Sequence, residues 1–186
     1  YDVVAIGDSI TQGFPFSEEC SWVNIISKNY ALKIRNCGIC GDLTTDMYSR
    51  FMMDVVRERP RIVIILGGYN DAFCGVPLEK VALNFRKMHD EAQKHGIATI
   101  MGLPTPVAFF NIESTLAEYR NWIRDYAQAE RIGLIDFYNV FLDSSTGGPL
   151  PGLTVDGAHP SIEGYRVMAG AVDMDHFASI APKRDG

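Results

Sequence analysis

The sequence predicts an α/β protein, an open parallel sheet with helices on both faces, and three observations carry that reading. Short apolar runs alternate with helical periodicity along all 186 residues, the pattern of successive βαβ units. The runs Val3-Val4-Ala5-Ile6 and Ile62-Val63-Ile64-Ile65-Leu66 are apolar without alternation, as in strands covered on both faces. Glycine-flanked polar clusters follow these runs, and in an open α/β sheet chemistry gathers outside the carboxyl ends of the strands.

Five strands are expected, at residues 3–6, 32–37, 62–66, 97–103 and 132–136, the third central and the more polar second near an edge. A first helix follows from Trp22, Ile25, Ile26 and Tyr30 on one face. A second points Tyr48, Met52, Val55 and Val56 inward and stops before Pro60, which disfavours helical geometry in the residue ahead of it. A third carries Leu78, Val81, Ala82, Phe85 and Ala92, and ends at Gly96 with Lys94 and His95 in its last turn. Residues 104–111 read as an apolar loop. A fourth helix follows with Leu116, Tyr119, Ile123, Tyr126 and Ala127. After a Gly/Pro/Ser-rich stretch at 143–152, a last helix carries Ile162, Tyr165, Met168, Ala169 and Val172 inward. No repeat or linker interrupts the chain, so residues 1–186 are expected to form one domain.

Composition narrows the function. With 47% hydrophobic and 22% charged residues the chain is of ordinary globular type, and its net charge of −6 argues against a nucleic-acid surface. No apolar run is long enough for an integral membrane segment. No signal peptide or lipidation motif is visible, which favours the cytoplasm, while the opening at Tyr1 rather than Met leaves secretion open. Cys20, Cys37, Cys40 and Cys74 are too few and too scattered for a disulfide scaffold and are expected as free thiols.

Four polar clusters punctuate the pattern: Gly7-Asp8-Ser9, Asn36-Cys37-Gly38-Ile39-Cys40-Gly41, Gly68-Tyr69-Asn70-Asp71 and Asp156-Gly157-Ala158-His159. With them the chain resembles the SGNH hydrolases, the GDSL-type esterase/lipase family, whose four blocks occur here in order. The resemblance implies a flavodoxin-like three-layer fold with strand order 2-1-3-4-5. It implies a serine esterase acting on esters or thioesters, with acyltransferases, lysophospholipases and thioesterases among its relatives, and no metal or organic cofactor. By that resemblance Ser9 is the nucleophile, His159 the general acid–base and Asp156 its orienting partner. The oxyanion hole is then expected from the backbone N–H groups of Ser9 and Gly41 and the side chain of Asn70.

Aromatic residues around these clusters suggest short acyl groups on a small-molecule ester. Asp8, Tyr69, Pro104 and Phe109 are candidate substrate contacts, Asp8 also being read, with Gly38 and Asp71, as shaping a turn. Phe14, Phe16, Phe73, Phe109 and Phe110 all lie in loops after strand ends. His176 closes a second Asp-x-x-His and competes with His159, but it is expected at the far end of the last helix. His95 reads as a helix-dipole partner and His89 as a helix-boundary residue. Two other classes compete: a dithiol redox protein using Cys37-Gly38-Ile39-Cys40, and a flavin-binding module using Ser9-Ile10-Thr11-Gln12-Gly13. The first leaves Ser9, Asn70 and the Asp156–His159 pair unexplained.

Overall fold

A computed structural model describes residues 1–177. Five parallel strands, β1 (Val3–Gly7), β2 (Ile34–Gly38), β3 (Ile62–Leu66), β4 (Ala98–Leu103) and β5 (Gly133–Asp136), form one sheet of order β2-β1-β3-β4-β5. Among the described residues seven α-helices surround it: α1 (Ser9–Gln12), α2 (Trp22–Tyr30), α3 (Thr44–Asp54), α4 (Tyr69–Phe73), α5 (Leu78–Lys94), α6 (Phe110–Glu130) and α7 (Ile162–Gly170). The chain steps outward from β1 to β2, then reverses to β3. Right-handed crossovers therefore place α2 on one face and α3, α5 and α6 on the other. α2 packs on α7, and α5 packs between α3 and α6.

Burial explains the strand pattern. Every residue of β1 and β3 is buried, as strands covered on both faces must be, while β2 and β5 lie at the edges and are only partly covered. In register, Val3 faces Ile34 and Ile62, and Gly7 faces Gly38 and Leu66, so β1, β2 and β3 end level. The reversal between β1 and β3 is the point at which such sheets open a crevice.

Several expectations are corrected. In α3 the buried apolar residues are Met47 and Phe51, whereas Tyr48 is only half-buried and Met52 is 46% exposed; just past its end Val55 is buried as expected and Val56 half-buried. The stripes 47/51/55 and 48/52/56 are equally apolar, so periodicity alone cannot choose between them. Helix α6 begins at Phe110, inside the expected loop, because Phe109 is extended and Glu113 reaches back to accept the Val107 N–H at 2.9 Å. Ile162, the first residue of α7, is exposed rather than inward. His89 lies within α5, buried, with Nδ1 3.0 Å from Thr99 Oγ1 on β4. His95 does cap the end of α5.

The turn after β1 closes into the short helix α1. Asp8 is its N-cap, Oδ1 accepting the Ile10 N–H at 3.0 Å, and Gly13 ends it at φ +112°. Asp8 has no exposed surface, which removes it from the candidate substrate contacts: it is a cap behind Ser9, not a wall of the cleft. Burial pushes its carboxyl up from 3.8 to about 7. The Ile10 N–H opposes that rise, and the negative charges of Asp71 and Asp42 add to it. Gly38 packs so tightly under this helix that a Cβ would fall on the Gln12 backbone nitrogen.

Two outcomes follow from this turn. Gly38→Ala should cost about 1–3 kcal/mol in denaturant unfolding, because backbone rather than a flexible side chain must yield. Asp8 holds its proton more tightly in the folded chain than in the unfolded one. Its stabilising contribution is therefore complete below pH 3.8 and is lost as pH rises to about 7. Asp8→Asn keeps an acceptor and abolishes the titration. Calorimetry should find Tm shifting in the variant's favour between pH 5 and pH 8, and a difference independent of pH would contradict this account.

Candidate active site

Ser9 opens α1 at the carboxyl end of β1 and is 7% exposed. Its Oγ stands 3.1 Å from His159 Nε2, across 150 residues of sequence. His159 Nδ1 stands 2.7 Å from Asp156 Oδ2. An ionised carboxylate can only accept, so in the neutral ring Nδ1 carries the proton and Nε2 is left as the acceptor facing the Ser9 hydroxyl.

The Asp156–His159 pair sits on a loop closed by its own backbone. Val155 N–H donates to the His159 carbonyl at 2.9 Å, and Ser161 N–H donates to the Leu153 carbonyl at 2.8 Å. Gly157, at φ +88°, makes the reversal. Asp156 Oδ1 accepts the N–H groups of Ala158 at 3.0 Å and His159 at 2.7 Å. Partial burial raises the Asp156 carboxyl. The bonds from the His159 side chain and backbone and from Ala158 outweigh that and hold it below the ordinary carboxylate value. Pro160 keeps the pair ahead of α7, which starts only after the Ser161 cap accepts the Gly164 N–H at 3.0 Å. On its other side the ring of His159 meets Phe14 edge-on, with centroids 4.8 Å apart, and Tyr165 holds Phe14 by donating its hydroxyl to the Phe14 carbonyl at 2.7 Å.

Asn70, in α4, donates from Nδ2 to the Asp42 carbonyl at 2.9 Å. Its neighbour Asp71 accepts from the N–H and hydroxyl of Thr44 at 2.9 and 2.7 Å, joining α4 to the start of α3. Gly41 lies one residue before the Asp42 carbonyl, exposed, at φ +85°.

A cleft of about 380 Å³ opens over Ser9, His159 and Asp156, and Ile10, Tyr69, Asn70, Phe73, Phe109 and Ala158 complete its lining. Gly41 is not part of that lining. Phe73 and Phe109 meet edge-on at 5.8 Å and form one wall. Tyr69 is pinned by its hydroxyl, which accepts the Thr105 N–H at 2.6 Å. Pro104 is buried beside Arg120 and does not face the cleft, which corrects its candidacy as a substrate contact. Phe110 lines a separate groove with residues 146–152. The two loops are joined where Ala108 N–H donates to the Gly157 carbonyl at 2.8 Å.

The competing residues lie elsewhere or have unsuitable chemistry. His176 falls in a 3₁₀ turn beyond α7, with Nε2 3.2 Å from the Leu134 carbonyl on β5. All four cysteines are free, and burial pushes the Cys37 thiol up to about 11, the opposite of what a reactive dithiol needs. Gln12, whose Oε1 accepts the Cys40 N–H at 2.8 Å, escaped the sequence reading, since no motif marks an exposed glutamine as a loop anchor. Among the described residues no helix is long and apolar enough to cross a membrane.

The family model for GDSL-like lipases and acylhydrolases matches residues 5–167. A solved protein of the G-D-S-L family from Desulfitobacterium hafniense DCB-2 is 36% identical, covers 91% of this chain and 95% of its own, and superposes with a TM-score of 0.85. The esterase TesA of Pseudomonas aeruginosa is 24% identical over 166 residues, 86% of this chain and 80% of its own length. The uncharacterized lipoprotein YqeF of Bacillus subtilis is 29% identical over 182 residues, 78% of this chain and 74% of its own. The match spans the strand ends that assemble the cleft, and the chain belongs to the GDSL-like lipase/acylhydrolase family, the SGNH hydrolases, as a carboxylic ester hydrolase.

Proposed function

We infer that this enzyme hydrolyses esters of short acyl groups through a Ser9–His159–Asp156 triad. The observation that carries the reading is the unbroken line from Ser9 Oγ through the imidazole to the Asp156 carboxylate, opening onto an apolar cleft. His159 Nε2 takes the hydroxyl proton as Oγ attacks the acyl carbon, then delivers it to the leaving alcohol. Water repeats the sequence on the acyl-enzyme. Asp156 fixes the tautomer and stabilises the imidazolium. The oxyanion is received by the N–H groups of Ser9 and Gly41 and by the Asn70 carboxamide, whose bond to the Asp42 carbonyl fixes its orientation. Phe73 and Phe109 bound the acyl side, with Tyr69 beneath, and this supports small, uncharged acyl groups.

Hydrolysis of nitrophenyl esters from acetate to decanoate tests the reading. Ser9→Ala and His159→Ala should abolish turnover and His176→Ala should leave it intact, and equal losses at the two histidines would overturn the assignment. Asn70→Ala should lower kcat about 10²–10³-fold, the cost of one oxyanion donor. Because the Asp156 carboxyl is held below its ordinary value, it stays ionised as pH falls. The rate is then expected to rise with pH, because a general base accepts a proton only in its unprotonated form. A rate flat from acid to alkaline pH would contradict a histidine base.

A further inference from the structure

The loop between β2 and α3 is held at three of the four residues from 39 to 42. Ile39 N–H donates to the Gly7 carbonyl at 3.0 Å, Cys40 N–H to Gln12 Oε1 at 2.8 Å, and the Asp42 carbonyl accepts from Asn70 at 2.9 Å. Gly41 lies between these holds. The Asp42 side chain is engaged from outside the four sequence blocks, by Arg50 on α3, whose Nε donates to Oδ2 at 2.7 Å. The same guanidinium donates from Nη2 to the Gly7 carbonyl at 3.0 Å and from Nη1 to Asp54 Oδ2 at 2.7 Å. Its side chain is 15% exposed.

The bond to Asp54 joins residues four apart on one helix and would serve α3 alone. The other two leave the helix: one reaches the last residue of β1, two positions before Ser9, and the other the residue after Gly41. We propose that Arg50 is a positioning residue for the oxyanion site, tying the loop that carries Gly41 to the strand end that carries Ser9. The proposal rests on the triad and oxyanion reading above. A planar fork can donate in three directions at once, which the single ammonium of a lysine does with far less geometric constraint. Asp46 and Asp54 also bear on Asp42 with like charge, so without the guanidinium the Asp42 carboxylate is repelled toward solvent and draws Gly41 with it. Oxyanion donors work only within a narrow distance range, so a small displacement of this loop acts on the transition state more than on substrate binding.

The test compares wild type, Arg50→Gln, Arg50→Lys, Asp42→Ala and the Arg50→Gln/Asp42→Ala pair on nitrophenyl butyrate. Inhibition by butaneboronic acid, which forms a tetrahedral adduct on a reactive serine, is measured alongside Tm. Arg50→Gln should lower kcat about 10–100-fold, the scale of a displacement near 1 Å, with KM within about threefold. Boronate affinity should weaken by a similar factor. Arg50→Lys should recover part of the loss, Asp42→Ala should reproduce it, and the double variant should lose little more than either single one. A folded Arg50→Gln enzyme with kcat within twofold of wild type overturns the proposal, as do losses that multiply in the double variant. Should Arg50→Gln fail to fold, Asp42→Ala, which leaves the bonds to Asp54 and Gly7 in place, decides by the same criteria. Absence of Ser9-dependent turnover in the wild type overturns the triad reading and this proposal together, whereas turnover indifferent to both substitutions overturns this proposal alone.

Discussion

The carboxyl edge of the sheet depends on how closely β1, β2 and the helix after β1 approach one another, and two register-paired glycines set that distance. Gly7 and Gly38 face each other at the ends of their strands. A side chain on the first would collide with Thr11 and the Leu66 carbonyl, and on the second with the backbone of α1. Because neither carries one, α1 lies directly on the end of β2. Asn36 then bridges the gap, donating from Nδ2 to the Thr11 carbonyl at 2.8 Å while its Oδ1 accepts the Gly38 N–H at 2.9 Å. The serine, its cap and the neighbouring loop inherit their spacing from this contact.

The opposite wall is built on another principle. The loop bearing Asp156 and His159 has no strand beneath it and takes its shape from hydrogen bonds internal to residues 153–161. It is docked by α7, whose buried Tyr165 also secures Phe14 against the imidazole. One half of the site is thus placed by the sheet and the other by a self-contained turn resting on a helix. The two meet at the contact between Ser9 and His159.

Much of this was legible in the residues. Strands buried on both faces announce themselves as unbroken apolar runs, and the four polar blocks mark the ends where the cleft forms. The phase of α3 was not legible, because Met47 and Phe51 differ from Tyr48 and Met52 only in what the tertiary fold lays against them. The burial of Asp8 and Pro104 was equally hidden: a polar residue beside a candidate nucleophile reads as a substrate contact until the packing of α1 encloses it. Phe14, Phe73 and Phe109 could be singled out as loop aromatics, but their separate partners, an imidazole for one and each other for the remaining two, arise only from long-range docking.

A backbone bond from Ala108 to Gly157 links the two loops that border the cleft, the one carrying Phe109 and the one carrying His159. The Gly157 Cα also approaches the Ala108 side chain so closely that an added methyl would touch it at 3.0 Å. The aromatic wall of the cleft and the position of the His159 imidazole therefore share one anchor point. A lineage that widens the cleft by altering the Phe109 loop also moves the loop that carries His159, so a change in the shape of this cleft is expected to arrive together with a change in the Ser9–His159 contact, and divergence along it to proceed by paired substitutions in the two loops.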